Sequence, residues 1–236
     1  MRPGTGRHSP HEEAAAVTWA PIVVGAAFAL LGAAAERLAS RWPADEASHA
    51  GPRPRTVALA LASGAAAWGI AARSTLPWWA TGVHLLVLAL LVMLTATDWE
   101  QRRLPHLVLD PLIVVAVAFV PFNPAVTPLD AAIGGVASAA FLWLAGLVVR
   151  DGVALGDLYL IAPLGLLLGW PAIFGAIFIA AFSVSAFSVV LLVTRRAAMK
   201  SYVPFGPFLV LGAVVTLLRD PTLLGTAGDA VTAALR

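Results

Sequence analysis

The chain has 236 residues, of which 60% are hydrophobic and 12% charged, and its formal net charge is +2 at pH 7. A soluble domain carries about 25% charged residues, so this composition excludes an ordinary soluble globule and predicts a protein embedded in a lipid bilayer. The basic residues are scattered along the chain, which argues against a nucleic-acid partner. The absence of cysteine excludes disulfides, zinc-thiolate sites and a cysteine nucleophile.

Stretches without Asp, Glu, Lys or Arg predict the membrane-spanning helices, since each span needs about 20 apolar residues. In chain order these stretches cover 14–35, 56–72, 74–97, 111–129, 131–149, 158–194 and 201–218. The sixth is too long for one crossing, and Gly169-Trp170-Pro171 inside it is a turn signal that divides it into a short helix and a full-length one. The fold class is therefore predicted to be all-α, a polytopic membrane helical bundle of about eight transmembrane helices.

The same pattern predicts the domain organisation. Residues 1–13 are expected to form a flexible N-terminal segment, 14–218 a membrane-embedded domain and 219–236 a short C-terminal tail. An alternative for the first span is the apolar core of a signal peptide, because Ala33-Ala34-Ala35 resembles a cleavage site. The length of the uncharged run and the acidic pair Glu12-Glu13 ahead of it favour a membrane span instead.

The positions of Lys and Arg predict the orientation. With the N-terminus outside, the inner loops hold ten basic residues and the outer segments five. An excess of basic residues on the cytoplasmic side is typical of membrane proteins. The sequence thus predicts a multi-pass protein of the cell (inner or plasma) membrane with its N-terminus outside.

Two carboxylates lie at the ends of predicted spans. Asp98 ends the third span and Asp157 begins the sixth, and the two crossings between them place both on one side, the cytoplasm under the charge argument. Two neighbouring carboxylates in apolar surroundings can share one proton. One is then a general base that activates water, and the other a general acid that protonates a peptide leaving group. Gly156, which has no Cβ, would let backbone or substrate approach the second acid closely.

Both acids also have a structural alternative. Asp98 with Arg102 and Arg103 can be a charge cluster at a helix end, and Asp157 can simply cap the sixth helix at its N-terminus. The spacing alone leaves these alternatives open.

Other acids are weaker candidates for the pair. Asp110 precedes Pro111 and is expected to lie deeper, at a local kink or cap. Asp130 opens the fifth span on the opposite side, and Asp151 is expected in a loop. Glu100 is on the correct side and is expected to be solvated.

Three ordered motifs surround the two acids: DWEQRRLP at 98–105, ALGD at 154–157 followed by a run that ends in LGW at 168–170, and VPFGPF at 203–208. Together they resemble the prepilin peptidases, membrane aspartic proteases of type IV pilin-like systems. The residues that carry the match beside the acids are Arg102, Arg103, Pro105, Gly156, Pro204, Gly206 and Pro207.

The resemblance implies that Asp98 and Asp157 are the catalytic dyad of an aspartic endopeptidase. It implies cleavage of the leader peptides of pilin-like precursors at the cytoplasmic face, just before the apolar helix of the substrate. The implied partners are those precursors and the lipid bilayer, with neither a metal nor a cofactor.

Three positions depart from the family pattern. Ala154 replaces a Gly, Tyr159 stands where Lys is usual, and His106 stands where Asn or Asp is usual. The cysteine-bearing cytoplasmic domain of many members is replaced by the short 39–55 loop, so methyl transfer from S-adenosylmethionine is not predicted.

These departures keep open an alternative function, a catalytically silent homologue that serves as membrane scaffold or assembly factor of a pilus or secretion system. A proton-coupled transporter is a weaker alternative, because both acids lie at span ends and not in the middle of the membrane.

Overall fold

The computed structural model of the protein describes residues 10–42, 53–148, 154–194 and 203–225, and across them it contains helices and no β-strand. Residues 1–9 and 226–236, which include most of the expected flexible ends, lie outside the described ranges. The α-helices of the described part are α1 Pro10–Ala39, α2 Arg53–Arg73, α3 Trp78–Gln101, α4 His106–Phe119, α5 Pro128–Val148, α6 Leu155–Leu168, α7 Ala172–Val193 and α8 Gly206–Arg219, with a 3-10 turn at Val120–Phe122. The all-α prediction and the eight predicted helices are confirmed.

The predicted division of the sixth apolar stretch is also confirmed. α6 ends at Leu168, and Gly169 adopts φ 70°, a left-handed conformation that glycine reaches at little cost. A Cβ at Gly169 would overlap the Val126 side chain, so the turn needs glycine for space as well. α7 then begins at Ala172.

Among the described residues, five helices are long and apolar enough to cross a bilayer, within Trp19–Ala39, Pro54–Arg73, Trp78–Gln101, Pro128–Val148 and Ala172–Val193. α4, α6 and α8 have 14 residues each. At 1.5 Å per residue each spans about 21 Å, less than the roughly 30 Å of a hydrocarbon core. The sequence predicted a short helix only for α6. α4 is also short because it passes into the 3-10 turn, and α8 because residues 203–205 precede it as irregular backbone.

The centre of the bundle is formed by α3, α6 and α8. α3 packs against α1, α2, α4 and α8, and α6 packs against α4, α5 and α8. Their inward side chains are fully buried, as at Leu94, Leu160 and Leu209. The outer helices instead expose large apolar side chains, such as Leu61 and Phe178. This distribution is that of a bundle whose outer surface contacts lipid.

Polar contacts show which helix ends lie together. At one end of the bundle, Arg55 near the start of α2 pairs with Glu100 near the end of α3 at 3.2 Å. At the opposite end, Arg73 Nη1 donates to the carbonyl of Leu218, 2.8 Å away, near the end of α8. The end of α3 and the starts of α2 and α8 therefore share one end of the bundle, which we call the Asp98 end.

α5 and α6 cross at a pair of glycines. A Cβ at Gly165 would lie 2.5 Å from the carbonyl oxygen of Gly134, and a Cβ at Gly134 would lie 2.5 Å from the carbonyl oxygen of Gly165. Backbone atoms cannot move aside as a flexible side chain can. Small residues at this crossing therefore set how closely α5 supports α6, the helix that carries Asp157.

The variant Gly165→Ala is expected to lower the free energy of unfolding by about 1–3 kcal/mol, because the added methyl forces the two backbones apart. Thermal unfolding in detergent micelles measures the change. Gly82→Ala is the matched control, since a Cβ there meets nothing within 4 Å. Equal melting temperatures for the two variants would contradict the close crossing.

Candidate active site

Asp98 lies in the last turn of α3, and its side chain is buried, with 7% of its surface exposed. The helix ends just beyond it because Arg102 adopts φ 54°, in the left-handed region, where its backbone N–H donates to the Asp98 carbonyl at 2.8 Å. The chain then turns, and Pro105 precedes the first residue of α4. The basic–Leu–Pro segment thus forms the tight connection that ends one helix and starts the next.

Asp157 is the third residue of α6 and is 3% exposed. Ala154 is the N-cap, and the backbone N–H of Asp157 donates to the Ala154 carbonyl at 3.0 Å. The expectation that Asp157 simply caps this helix is wrong, because Ala154 occupies the N-cap position and Asp157 lies inside the first turn. An acidic side chain in the first turn is still stabilised by the partial positive charge of the helix N-terminus.

Gly206, the first residue of α8, lies against both carboxylates. A Cβ at Gly206 would lie 2.5 Å from Asp98 Oδ2 and 3.7 Å from Asp157 Oδ1. Both acids thus face one small volume at the Asp98 end, as the count of membrane crossings predicted.

The pair is buried but incompletely hydrogen-bonded. Oδ2 of Asp98 and Oδ2 of Asp157 are both buried, and neither accepts a hydrogen bond from the described residues. The N-termini of α6 and α8, which carry partial positive charge, both lie at the pair. These dipoles stabilise negative charge there, while the free oxygens remain available to a proton, a water or a substrate group.

The other motif residues lie either near the two acids or exposed at the end of α3. Leu104, just before Pro105, packs against Gly156, where a Cβ would lie 3.0 Å from the Leu104 side chain, so the first two motifs touch beside the acids. Pro204 lies in the irregular segment before α8, and Pro207 is buried in its first turn. The side chains of Arg102 and Arg103 are exposed at the end of α3.

The rival acids lie apart from this pair or are bound elsewhere. Asp110 lies inside α4 just ahead of Pro111, is exposed, and pairs with His106 Nδ1 at 3.2 Å. Pro105 is the N-cap of α4, so of the two expected roles of Asp110, kink or cap, the cap is wrong. Asp130 accepts a hydrogen bond from Thr127 Oγ1 at 2.6 Å at the start of α5. Asp151 lies outside the described residues.

The expectation that Glu100 is solvated is also wrong. Only 12% of its side chain is exposed, because it is held by Arg55 of α2. A contact between two different helices leaves no signal in a single stretch of sequence.

Two departures from the motif pattern have a local structural account. Ala154 adopts φ −77° and ψ 147°, an extended conformation open to any residue, so glycine is not needed there. Tyr159 contacts His106 edge to face, with ring centroids 5.7 Å apart, so these two unusual residues face each other across the start of α4 and α6.

Sequence reasoning missed Glu36 as a candidate functional residue. It lies near the end of α1, is 7% exposed, and accepts a hydrogen bond from Thr56 Oγ1 at 2.7 Å. Its position directly after a long apolar run was the available signal, but an acid at a span end is more often solvated.

The contact between Gly206 and Asp98 gives a test that does not depend on activity. Gly206→Ala is expected to cost about 1–3 kcal/mol of unfolding free energy in the otherwise unchanged protein, because the new methyl overlaps Asp98 Oδ2. In an Asp98→Ala background the overlap is gone, and the cost is expected to fall below about 0.5 kcal/mol. Thermal melts of the four proteins of this cycle measure both numbers. A cost that is the same in both backgrounds would contradict the contact.

Comparison with known proteins gives matches that include both acids. Residues 85–189 match the model of the type IV leader peptidase family. A prepilin leader peptidase/N-methyltransferase of Burkholderia pseudomallei is 33% identical over 164 residues, covering 67% of this chain and 53% of the relative. Proteins of the same name from Aeromonas salmonicida and Pseudomonas aeruginosa are 30% and 29% identical, covering 63% and 69% of this chain and 53% and 56% of the relatives. No solved structure gives a significant match.

The chain spans about half the length of the curated relatives it matches. The matched segment runs from α3 into α7 and contains both Asp98 and Asp157 with their motifs. With its five long apolar helices, the chain is an integral membrane protein. Residues 85–189 form a type IV leader peptidase domain.

Proposed function

We propose that the protein is an aspartic endopeptidase of the inner (plasma) membrane that removes leader peptides from type IV pilin-like precursors. Asp98 and Asp157 are its catalytic dyad, and the Asp98 end of the bundle faces the cytoplasm. The excess of Lys and Arg in the loops at this end supports the orientation. The names of the relatives support the substrate class.

The proposal rests on one observation. Two buried carboxylates, from helices far apart in the chain, both lie beside Gly206, which has no side chain. Burying two acids in an apolar bundle is costly, and the nearby helix N-termini offset that cost only in part. Peptide hydrolysis by an aspartic protease accounts for this arrangement, since the reaction needs two carboxyl groups within reach of one water molecule.

The chemistry follows from one proton shared by the two acids. The ionised carboxylate takes a proton from water as the water oxygen attacks the scissile carbonyl carbon, and the protonated acid hydrogen-bonds to the carbonyl oxygen. The tetrahedral intermediate collapses when a proton reaches the amide nitrogen, the C–N bond breaks, and a carboxylic acid and an amine leave. The N-termini of α6 and α8 stabilise the negative charge that the dyad carries through this cycle.

The short helices explain how water reaches buried acids. α6 and α8 begin at the dyad and span about 21 Å, so a bilayer of roughly 30 Å extends beyond them. The helix starts can therefore be recessed below the membrane surface at the Asp98 end. A recess of this kind admits water and an extended peptide while lipid surrounds the outer helices.

Asp98→Asn and Asp157→Asn are each expected to reduce cleavage of a pilin-like precursor by at least about 100-fold, because an amide neither accepts nor supplies the proton. Cleavage is measured as a mobility shift of a precursor co-expressed with each variant.

Asp110→Asn is the matched control, since Asp110 is exposed and bound to His106, and it is expected to process the precursor like the unchanged protein. Precursor processing by the Asp98 and Asp157 variants at the normal rate would refute the dyad. A cognate precursor left intact by the unchanged protein would favour the silent scaffold instead.

A further inference from the structure

A half-open apolar cavity of about 370 Å³ lies between α2, α3 and α8, next to the dyad. Its α3 wall runs from Leu88 to Glu100, about 18 Å at 1.5 Å per residue. The remaining wall consists of small or apolar side chains of α2 and α8, including Ala62 and Leu211. The cavity is therefore long, narrow and almost entirely apolar below its mouth.

The mouth of the cavity lies at the Asp98 end and is polar. Glu36, Arg55 and Glu100 line it. Arg55 and Glu100 pair with each other at 3.2 Å, so their charges balance. Glu36 has no cationic partner among the described residues, so its carboxyl group is available to a cationic group of a ligand.

Two side-chain oxygens in this cavity lack partners. Glu36 is more than nine-tenths buried, and its Oε2 accepts from Thr56, whereas its Oε1 accepts no hydrogen bond from the described residues. Thr95 Oγ1, further down the α3 wall, is buried and equally without a partner there. A buried carboxylate oxygen of this kind is costly unless a donor from a ligand reaches it.

The cavity lies beside the segments that carry the dyad. Trp99 follows Asp98 in α3, and Pro207 and Phe208 follow Gly206 in α8, and all three line the cavity wall, whereas neither acid is among its lining residues. A chain lying in the cavity with its end at the mouth therefore ends close to the dyad. A lipid tail could fill the same space, but it has no bond that the acids could cleave.

We propose that this cavity receives the side chains on one face of the apolar helix of a peptide substrate, and that Glu36 binds a cationic residue of the leader that flanks that helix. The inference rests on the proposed function, because it assigns the place where the substrate of that reaction lies. Charge complementarity fixes the orientation of the substrate: its cationic flank lies at the Asp98 end, and its apolar part runs toward the middle of the bundle.

Because the chain has no native cysteine, single cysteines give a readout that is independent of cleavage. Ala62→Cys places a thiol in the cavity, and Leu61→Cys places one on the exposed surface of the same helix. Both are made in an Asp98→Asn background, and each is oxidised with a precursor that carries one cysteine about two turns into its apolar helix. A disulfide cross-link is expected at 62 and not at 61.

The proposed contact between Glu36 and a cationic residue is tested with two precursors. One has a Lys in the leader beside the apolar helix, and the other has Gln at that position. Glu36→Gln is expected to reduce cross-linking and kcat/KM of the Lys precursor about tenfold, through KM, because a hydrogen bond to a charged group is lost. Glu36→Gln is expected to reduce cross-linking and kcat/KM of the Gln precursor far less, since that precursor has no cationic residue at this position to pair with Glu36. Thermal melts of Glu36→Gln show whether the fold is kept.

Equal cross-linking at 61 and 62, or an equal effect of Glu36→Gln on both precursors, would overturn the proposal. Cavity occupancy by copurified lipid, with no peptide cross-link at 62, would overturn it as well. The two proposals can fail separately. A cross-link at 62 without any cleavage by the unchanged protein would refute the protease and keep the docking site. Cleavage by the unchanged protein without a cross-link at 62 would refute the docking site and keep the protease.

Discussion

The burial of two carboxylates beside each other is the constraint on which the rest of this structure depends. An ionised acid in apolar surroundings is costly, and a second one nearby raises that cost. The positive N-terminal ends of α6 and α8, which both lie at the pair, offset part of this cost. One oxygen of each acid still accepts no hydrogen bond within the described part of the chain.

Close helix crossings hold the helices that surround the two acids in place. The glycine pair of α5 and α6 fixes the helix that carries Asp157, and Gly206 lets α8 begin directly against Asp98. In a bilayer, apolar side chains gain little free energy by moving from lipid to a contact with another helix. Close packing of helix backbones therefore supplies part of the stability that a hydrophobic core supplies in water. The exposed Leu and Phe side chains of the outer helices then face lipid at little cost.

The sequence predicted the helices well because hydropathy reports directly on burial in lipid. The eight helices, the turn at Gly169 and the shared end of Asp98 and Asp157 all follow from apolar runs and a count of crossings. Contacts between distant segments were not predictable in this way. The Arg55–Glu100 pair and the contact of Gly206 with both acids depend on tertiary packing, which no local pattern encodes. The short lengths of α4 and α8 were missed because uncharged residues continue beyond each helix end.

The central claim is that Asp98 and Asp157 act as one unit on a single water. The most direct measurement is the rate of precursor cleavage by the two single Asn variants and by the double variant, in the same bilayer preparation. Residues that act as a unit lose almost everything with the first substitution. The account predicts that the double variant is no slower than the slower single variant. Losses that multiply in the double variant would show two independent contributions and contradict a shared-proton dyad.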